Sequence, residues 1–217
     1  MKKHIPEQRC DTFYQKPITI TWKKDLSEVS QTLTKQELKT LQNLYEKALT
    51  DPKKTFKETL DFSNNHSNIP EINNLLTYLY LKQKKLRKAE KLTFKNYLTN
   101  PTNLLAKINY ADQCIRKNKL SIIPDIFNNI PDLTLLYPKQ KLFHASSYRG
   151  FHVAWGFYHH YKKNIDHAQC HHYLAYQIDS EHKSVIELSK RLIKKEKKLH
   201  SLVSKYFLKL LRSKSTD

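Results

Sequence analysis

Histidine is concentrated in one stretch of this 217-residue chain. Eight of the eleven histidines lie between positions 144 and 182: His144, His152, His159, His160, His167, His171, His172 and His182. Imidazole binds transition metals and titrates near pH 6.5, so this stretch has the clearest chemical potential in the chain. It indicates either a metal centre or a set of packed side chains whose protonation makes the region pH-sensitive.

A metal centre would use His167 and His171, which are four residues apart and share one helix face. A further ligand would come from the preceding helix or from the same turn: His159, His160, Cys170 or Asp166. The HExxH motif is absent, and Asp166 is the only obvious acidic residue to orient a ligand. Histidine also packs in the aromatic positions of paired helices. We therefore expect no metal and no other cofactor.

Nucleophilic catalysis is not indicated either. Cys170 precedes His171, but adjacent helical residues point in different directions and do not form a thiol–imidazole pair. The chain has neither a Gly-rich phosphate loop nor a GxSxG motif. We expect a protein that is not an enzyme.

The chain is strongly basic, with 39 Lys and Arg against 20 Asp and Glu. Such an excess attracts polyanions without specifying a fold. Basic residues are densest over residues 82–95 and 182–217, which gives these candidate polyanion-binding residues: Lys84, Lys85, Arg87, Lys88, Lys194, Lys195, Lys197 and Lys198. The alternative is a solvated basic face that reflects the lysine- and asparagine-rich composition of an AT-rich genome.

Cysteine usage and hydropathy indicate the cellular compartment of the protein. Cys10, Cys114 and Cys170 are odd in number and widely spaced, which argues against a disulfide scaffold and favours a reducing compartment. No apolar stretch follows the first residues, and no run approaches the ~18 apolar residues of a membrane span. We expect a cytoplasmic protein.

Residues 148–181 predict two antiparallel helices that would position the histidines. Phe151, Trp155 and Tyr158 recur at helical spacing, and Asn164 interrupts the pattern. Ala168 and the alanine seven residues later share one face, where small side chains let two helices approach closely. Such a hairpin cannot bury both its faces alone, so it implies neighbours of the same shape.

This hairpin resembles a tetratricopeptide repeat, a 34-residue unit with the pattern Trp-x2-Leu-Gly-x2-Tyr, Ala-x3-Phe and Pro. Its counterparts here are His152, Trp155, Gly156, His159, Ala168, Ala175 and Ser180. Two upstream units follow the same spacing, one with Asn73, Leu76, Thr77, Tyr80, Ala89 and Pro101, the next with Lys107, Tyr110, Ala111, Cys114 and Phe127. The histidines at 152, 159 and 172 depart from the family, so that unit is degenerate.

The spacing of the units also locates an insertion. Thr77 and Ala111 are 34 residues apart, whereas Ala111 and Gly156 are 45 apart, which predicts extra residues within 131–141. The resemblance covers roughly residues 70–181. The alternative is an all-helical bundle in which the alanines match by chance.

Other elements are predicted from local signals. Thr34 and Glu37 form a capping-box pattern before a helix over residues 35–50, and Pro52 opens a helix of about 53–64. Pro70 opens a helix that contains Leu75, Leu76, Leu79 and Tyr80 and ends before a connector at residues 82–85. Further helices are expected over these residues: 86–98, 103–117, 120–129, 139–147 and 183–212. The alternation of Ile18, Ile20 and Trp22 predicts an extended arm anchored by Trp22, with a disordered tail as the alternative.

Together these patterns predict an all-α fold, a right-handed α-solenoid of antiparallel helix pairs with a long C-terminal helix. We expect three regions: an extended arm over residues 1–33, a helical-repeat domain over 34–181, and a basic capping helix and tail over 182–217. The last helix is alternatively a basic amphipathic helix that binds lipid, RNA or a partner.

The resemblance implies a non-enzymatic adaptor or chaperone-like module that holds a peptide segment of a partner protein in its concave face. Its candidate partner-binding residues are Asn73, Tyr80, Lys107, Cys114, His152 and His159. The basic surface favours a partner with an acidic segment. The alternative function is a basic helical nucleic-acid-binding protein.

Overall fold

The computed structural model describes residues 1–10, 13–23, 26, 29 and 31–193. The helices are α1 Lys35–Thr50, α2 Pro52–Asn65, α3 Pro70–Lys82, α4 Leu86–Thr99, α5 Leu104–Arg116, α6 Ile123–Ile126, α7 Leu133–Leu136, α8 Ala145–Tyr161, α9 Ile165–Tyr176 and α10 over residues 183–193. The strands are β1 Lys2–Ile5, β2 Gln8–Cys10, β3 Phe13–Gln15, β4 Ile18–Thr21 and β5 Leu142–His144. The described chain is a mainly helical solenoid, as predicted.

The first helical pair begins where the sequence places it. The Thr34 hydroxyl accepts a 3.3 Å hydrogen bond from the Glu37 N–H, and the Glu37 carboxylate accepts a 2.8 Å bond from the Thr34 N–H. Asp51 then caps α2, with its side chain accepting from the Lys54 N–H at 3.1 Å. The predicted capping box and the predicted bounds of α1 and α2 are confirmed.

Each helix from α1 to α5 packs against the next along the chain, and α5 then packs against α8. Three hairpins end their first helix in the same way, with one residue in the left-handed region: Lys84 (φ 59°), Asn118 (φ 55°) and Lys163 (φ 66°). These residues are 34 and 45 apart, which matches the predicted repeat spacing.

Each of these turns is closed by the same backbone hydrogen bond, from an N–H to a carbonyl five residues earlier. The donors and acceptors are Lys85 to Tyr80 at 2.9 Å, Lys119 to Cys114 at 2.8 Å, and Asn164 to His159 at 2.9 Å. This is the Schellman pattern of helix ends. Its recurrence at the repeat spacing supports a tetratricopeptide-like fold of stacked hairpins.

The small residues of the third hairpin lie at a tight helix contact. Ala168 and Ala175 are fully buried. A Cβ added at Gly156 would lie 3.6 Å from the Ala168 carbonyl oxygen and would collide with the Leu188 side chain. The close approach of α8, α9 and α10 therefore depends on small side chains, as predicted for α8 and α9.

The second hairpin is truncated. Where a helix over residues 120–129 was predicted, a 3-10 turn at Leu120–Ile122 leads into the single turn of α6. Asn128 (φ 56°) and Asn129 (φ 59°) are both left-handed, which is incompatible with a continuing helix. The predicted insertion follows and contains α7.

The helix predicted near residues 139–147 is wrong. Leu142–His144 instead forms β5, which pairs in parallel with β4, and α8 begins only at Ala145. The strand places Phe143 at the centre of the core, where it is completely buried.

The N-terminal region contributes strands to two small sheets. Strand β4 pairs antiparallel with β1, and β2 pairs with β3 in a hairpin. Ile5, Ile18 and Ile20 are buried against the helices, but Trp22 remains 38% exposed. The predicted Trp22 anchor is wrong, because β4 ends at Thr21 and the inward alternation stops before the tryptophan. The division into three regions stays a prediction.

Three further expectations meet the structure only in part. Val185, Leu188 and Leu192 of α10 are buried, whereas the rest of the predicted 183–212 helix lies outside the described residues. Cys170 is disulfide-bonded and Cys114 is a buried free thiol, so the expectation of reduced cysteines is wrong for Cys170. Among the described helices, none is long and apolar enough to cross a membrane.

Candidate functional site

The first helices of successive hairpins line a groove of ≈ 650 Å³. Helices α1, α3, α5 and α8 form its walls, and His182 and Ser184 at the start of α10 also line it. Its apolar surface comes mainly from these side chains: Ala48, Leu49, Leu75, Tyr78, Leu105, Ile108, Ile115 and Val153. Leu49 is 77% exposed, so this part of the groove is open to solvent.

One buried amide in the groove wall has an unused donor. The Asn74 Oδ1 accepts from Asn96 Nδ2 at 3.0 Å and from Asn109 Nδ2 at 2.8 Å, which fixes the orientation of the amide. Its Nδ2 has no hydrogen-bond partner among the described residues. The unpaired Nδ2 is buried inside the groove wall, where its lost hydration carries a free-energy cost.

The charged groups of the groove are paired. Arg149 Nη1 lies 2.8 Å from Asp179 Oδ2, and Arg116 Nε lies 3.1 Å from Asp112 Oδ2. Burial lowers the pKa of Arg149, and the attraction of Asp179 opposes that shift. The groove is therefore apolar with compensated charges, which suits a peptide segment better than a phosphate backbone.

The predicted partner-binding residues lie on helices of the hairpins, but their side chains face the interior and not the groove. Asn73, Lys107, Cys114, His152 and His159 are all buried, and Tyr80 is half-buried against Phe56. The groove is lined instead by the residues that follow four of them, namely Asn74, Ile108, Ile115 and Val153. One residue rotates the side-chain direction by about 100° around a helix, which moves a position from the interior to the groove.

The buried positions hold the hairpins together. Asn73, Lys107 and His152 are equivalent in the repeat, and each has a polar partner outside its own helix. Asn73 Nδ2 donates to the Ser67 carbonyl at 2.9 Å, and Lys107 Nζ donates to Asn128 Oδ1 at 3.4 Å. Each polar side chain at this position is therefore directed into the body and away from the groove.

The third of these positions, His152, belongs to a buried histidine cluster. Its Nδ1 lies 2.9 Å from His171 Nδ1, and its Nε2 lies 3.2 Å from Gln15 Oε1. Since Gln15 Oε1 is an acceptor, His152 carries its proton on Nε2 and accepts through Nδ1 from His171. Gln15 Nε2 in turn donates to the Tyr148 hydroxyl at 3.2 Å.

The remaining rings of the cluster stack. His159 and His171 are nearly parallel, with centroids 5.4 Å apart, and Trp155 stacks on both rings. Burial lowers the pKa of His152 to about 3 and that of His159 to about 4, and also lowers the pKa of His171. These imidazoles are neutral at physiological pH and pack as aromatic side chains.

The geometry of the cluster does not suit a metal ion. Among the described residues, no group of three His, Cys, Asp or Glu could hold a metal ion. The face-to-face rings of His159 and His171 cannot aim their nitrogen lone pairs at one point between them. His167 and His171 therefore have no suitably placed third ligand in the described structure.

The predicted basic ridge is partly described. Lys84, Lys85, Arg87 and Lys88 are exposed at the turn between α3 and α4. Lys85 Nζ lies 4.6 Å from the centre of the Phe56 ring, a cation–π contact that ties one of the four to the body. Lys194, Lys195, Lys197 and Lys198 lie outside the described residues.

No family model and no curated protein matches the chain. Among solved structures, it is similar to "MamA 41-end from Desulfovibrio magneticus RS-1", with 14% identity, a TM-score of 0.48, and coverage of 83% of this chain and 97% of that one. A second similar structure is "MamA RS-1 ArsTM double mutant", with 11% identity, a TM-score of 0.46, and coverage of 76% and 97%. At these TM-scores the evidence for the fold remains the helix order and the repeated turns.

Proposed function

We propose that this chain is a non-enzymatic adaptor or chaperone-like module that binds a peptide segment of a partner protein in the groove. The observation that carries the proposal is the ≈ 650 Å³ groove built from the first helices of successive hairpins. Its volume lies within the usual range of ligand pockets, and its walls are mainly apolar.

The side chains that line the groove indicate which chemical groups the bound segment carries. Apolar side chains of the segment would cover Leu75 and Ile108. The excess of 39 basic over 20 acidic residues favours approach of a segment with acidic flanks.

Geometry bounds the length of the segment. Packed helices lie roughly 8–10 Å apart, so a segment that crosses four of them spans roughly 25–30 Å. An extended chain covers that distance with about eight residues. A short linear motif is therefore enough to fill the groove.

Two leucine variants test the proposal. Leu49 lines the groove, whereas Leu98 on α4 does not and is also well exposed. We expect wild type and Leu98→Glu to retain the same partner protein from native-cell extract, with or without nuclease. Leu49→Glu should lose that partner, because a carboxylate replaces an apolar contact.

Other outcomes would contradict the proposal. Equal retention by Leu49→Glu and wild type would place the partner elsewhere on the surface. A partner released by nuclease would favour the nucleic-acid alternative, which the comparisons do not support. The disulfide at Cys170 does not favour the cytoplasmic location that the cysteine pattern predicts, since disulfides are rare in a reducing compartment.

A further inference from the structure

A second pocket lies away from the groove, beside the truncated second hairpin. It encloses ≈ 350 Å³ between the start of α5 and the segment around Tyr137. None of its lining residues belongs to the groove, so its role is independent of the adaptor proposal. The wall includes Lys107, Asn128, Tyr137 and Pro138.

Lys107 is the unusual residue of this pocket. Only 4% of it is exposed, and its hydrogen bond to Asn128 Oδ1, at 3.4 Å, is long and made to a neutral group. None of the ion pairs within the described residues includes Lys107. A buried ammonium without an anion is costly, and burial accordingly lowers the pKa of Lys107.

The truncation of the second hairpin explains why this lysine faces a pocket. The equivalent Asn73 bonds Asn96 on the second helix of its hairpin, and the equivalent His152 bonds His171 in the same way. In the second hairpin the corresponding helix ends at Ile126. The space that a longer helix would fill is open, and the Lys107 side chain lines it.

The rest of the wall defines the ligand. Lys139 adds a second ammonium at the exposed rim, and no Asp or Glu among the described residues lines the pocket. Pro101, Leu136, Pro138 and the Tyr137 ring supply apolar surface. A phosphate would need several convergent donors, whereas one buried ammonium beside apolar carbon suits a monoanion with a hydrocarbon body.

We infer that this pocket binds a small organic carboxylate, with the carboxylate on Lys107 and the hydrocarbon part against Leu136, Tyr137 and Pro138. The ligand supplies the anion that Lys107 lacks among the described residues. Its apolar part is removed from water by the proline and tyrosine walls.

Binding of hexanoate to the full chain tests the inference, by calorimetry and by the shift of the Asn128 side-chain amide signal in NMR. We expect saturable binding that weakens at least about tenfold when hexanamide replaces hexanoate. Lys107→Met should weaken hexanoate to the same extent. Lys162→Met, at an exposed lysine outside the pocket, should leave binding unchanged.

Several results would overturn it. Absence of hexanoate binding, equal binding of hexanamide, or unchanged binding by Lys107→Met each excludes a carboxylate site at this lysine. Inorganic phosphate that competes as tightly as hexanoate would exclude the role of the apolar wall. Lys107→Met removes a buried charge and should not prevent folding. The comparison of hexanoate with hexanamide uses the wild-type protein alone, so it does not depend on the folding of any variant.

Discussion

Several polar side chains of this protein are buried and form hydrogen bonds with one another inside the folded chain. His152, His171 and Gln15 form a hydrogen-bonded chain from α9 through α8 to the N-terminal hairpin. Such a network is stable only while its imidazoles are neutral, because burial disfavours the charged form of each ring and lowers its pKa.

This network predicts acid sensitivity. The pKa of His152 is about 3 and that of His159 about 4, against about 6.5 for an unfolded histidine. Between those values the unfolded chain binds more protons, so the free energy of unfolding falls as the pH drops below about 6.5. Each such histidine lowers the free energy of unfolding by about 2 kcal/mol at pH 5. Urea unfolding at pH 7.5 and pH 5.0 measures the effect.

His159→Phe provides the control, because neither ring nitrogen of His159 has a hydrogen-bond partner among the described residues. The variant should be folded at pH 7.5 and should lose about 2 kcal/mol less than wild type at pH 5. If the free energy of unfolding stays constant or rises as the pH is lowered from 7.5 to 5.0, the histidines of the cluster are not buried in their neutral form.

Ala168 tests the tight contact between α8 and α9. Its side chain is completely buried beside Gly156, so Ala168→Leu should lower the free energy of unfolding by roughly 1–3 kcal/mol. Gln169→Leu, at the exposed neighbouring position, should have little effect. Equal melting temperatures for the two variants would mean that the predicted repeat spacing misplaces this contact.

Sequence reasoning located the helices of the candidate site but not its face. The repeat spacing selected Asn73, Lys107 and His152, which are indeed equivalent. It could not show that the following residues face the groove, because both faces of these first helices carry apolar and polar residues. Asn74 and Arg149 were missed for the same reason.

At the scale of elements, helix ends were predictable where a local signal fixes them. Thr34 with Glu37 and Asp51 with Pro52 set the bounds of α1 and α2. The alternation of Ile18 and Ile20 predicted the extended segment that forms β4. The other strands were not predicted, since three- and four-residue segments carry little periodicity and β5 depends on β4, more than 120 residues away. Asn118 is left-handed as expected for a helix end, but two other hairpins use lysine there.

The left-handed lysines at two of these turns, Lys84 and Lys163, predict how a glycine substitution would change stability. A left-handed lysine is strained by its Cβ, so Lys163→Gly should raise the free energy of unfolding by about 0.5–1 kcal/mol. Lys162 has an ordinary φ of −73°, so Lys162→Gly should be neutral or destabilising. Chemical denaturation of both variants measures the difference. The reverse order of stability would contradict the described turn.

At the scale of the whole molecule, each hairpin depends on its neighbours, and α10 covers the last one. Val185, Leu188 and Leu192 pack in one cluster with Val153, Phe157 and other residues of α8 and α9. Burial of three such side chains contributes roughly 4–9 kcal/mol before entropy is subtracted. This supports the capping role expected for the helix from its apolar stripe.

Removal of residues 183–217 should therefore lower the melting temperature markedly or cause aggregation. Leu188→Ala should reproduce part of the loss, about 2–5 kcal/mol, because Leu188 is completely buried. Ile186→Ala, at a position that is 38% exposed, should cost much less. A soluble truncated protein with an unshifted melt would contradict the cap.

The central claim is that the groove holds a segment of a partner protein, and site-specific photo-crosslinking in the native cell tests it most directly. A photoreactive phenylalanine analogue is placed at Leu49 in the groove, at Tyr78 on the groove wall, and at Leu98 outside it. We expect the same partner protein to be crosslinked from positions 49 and 78, with no crosslink to that protein from position 98. Crosslinks to that partner from position 98 alone, or to nucleic acid from all three, would contradict it.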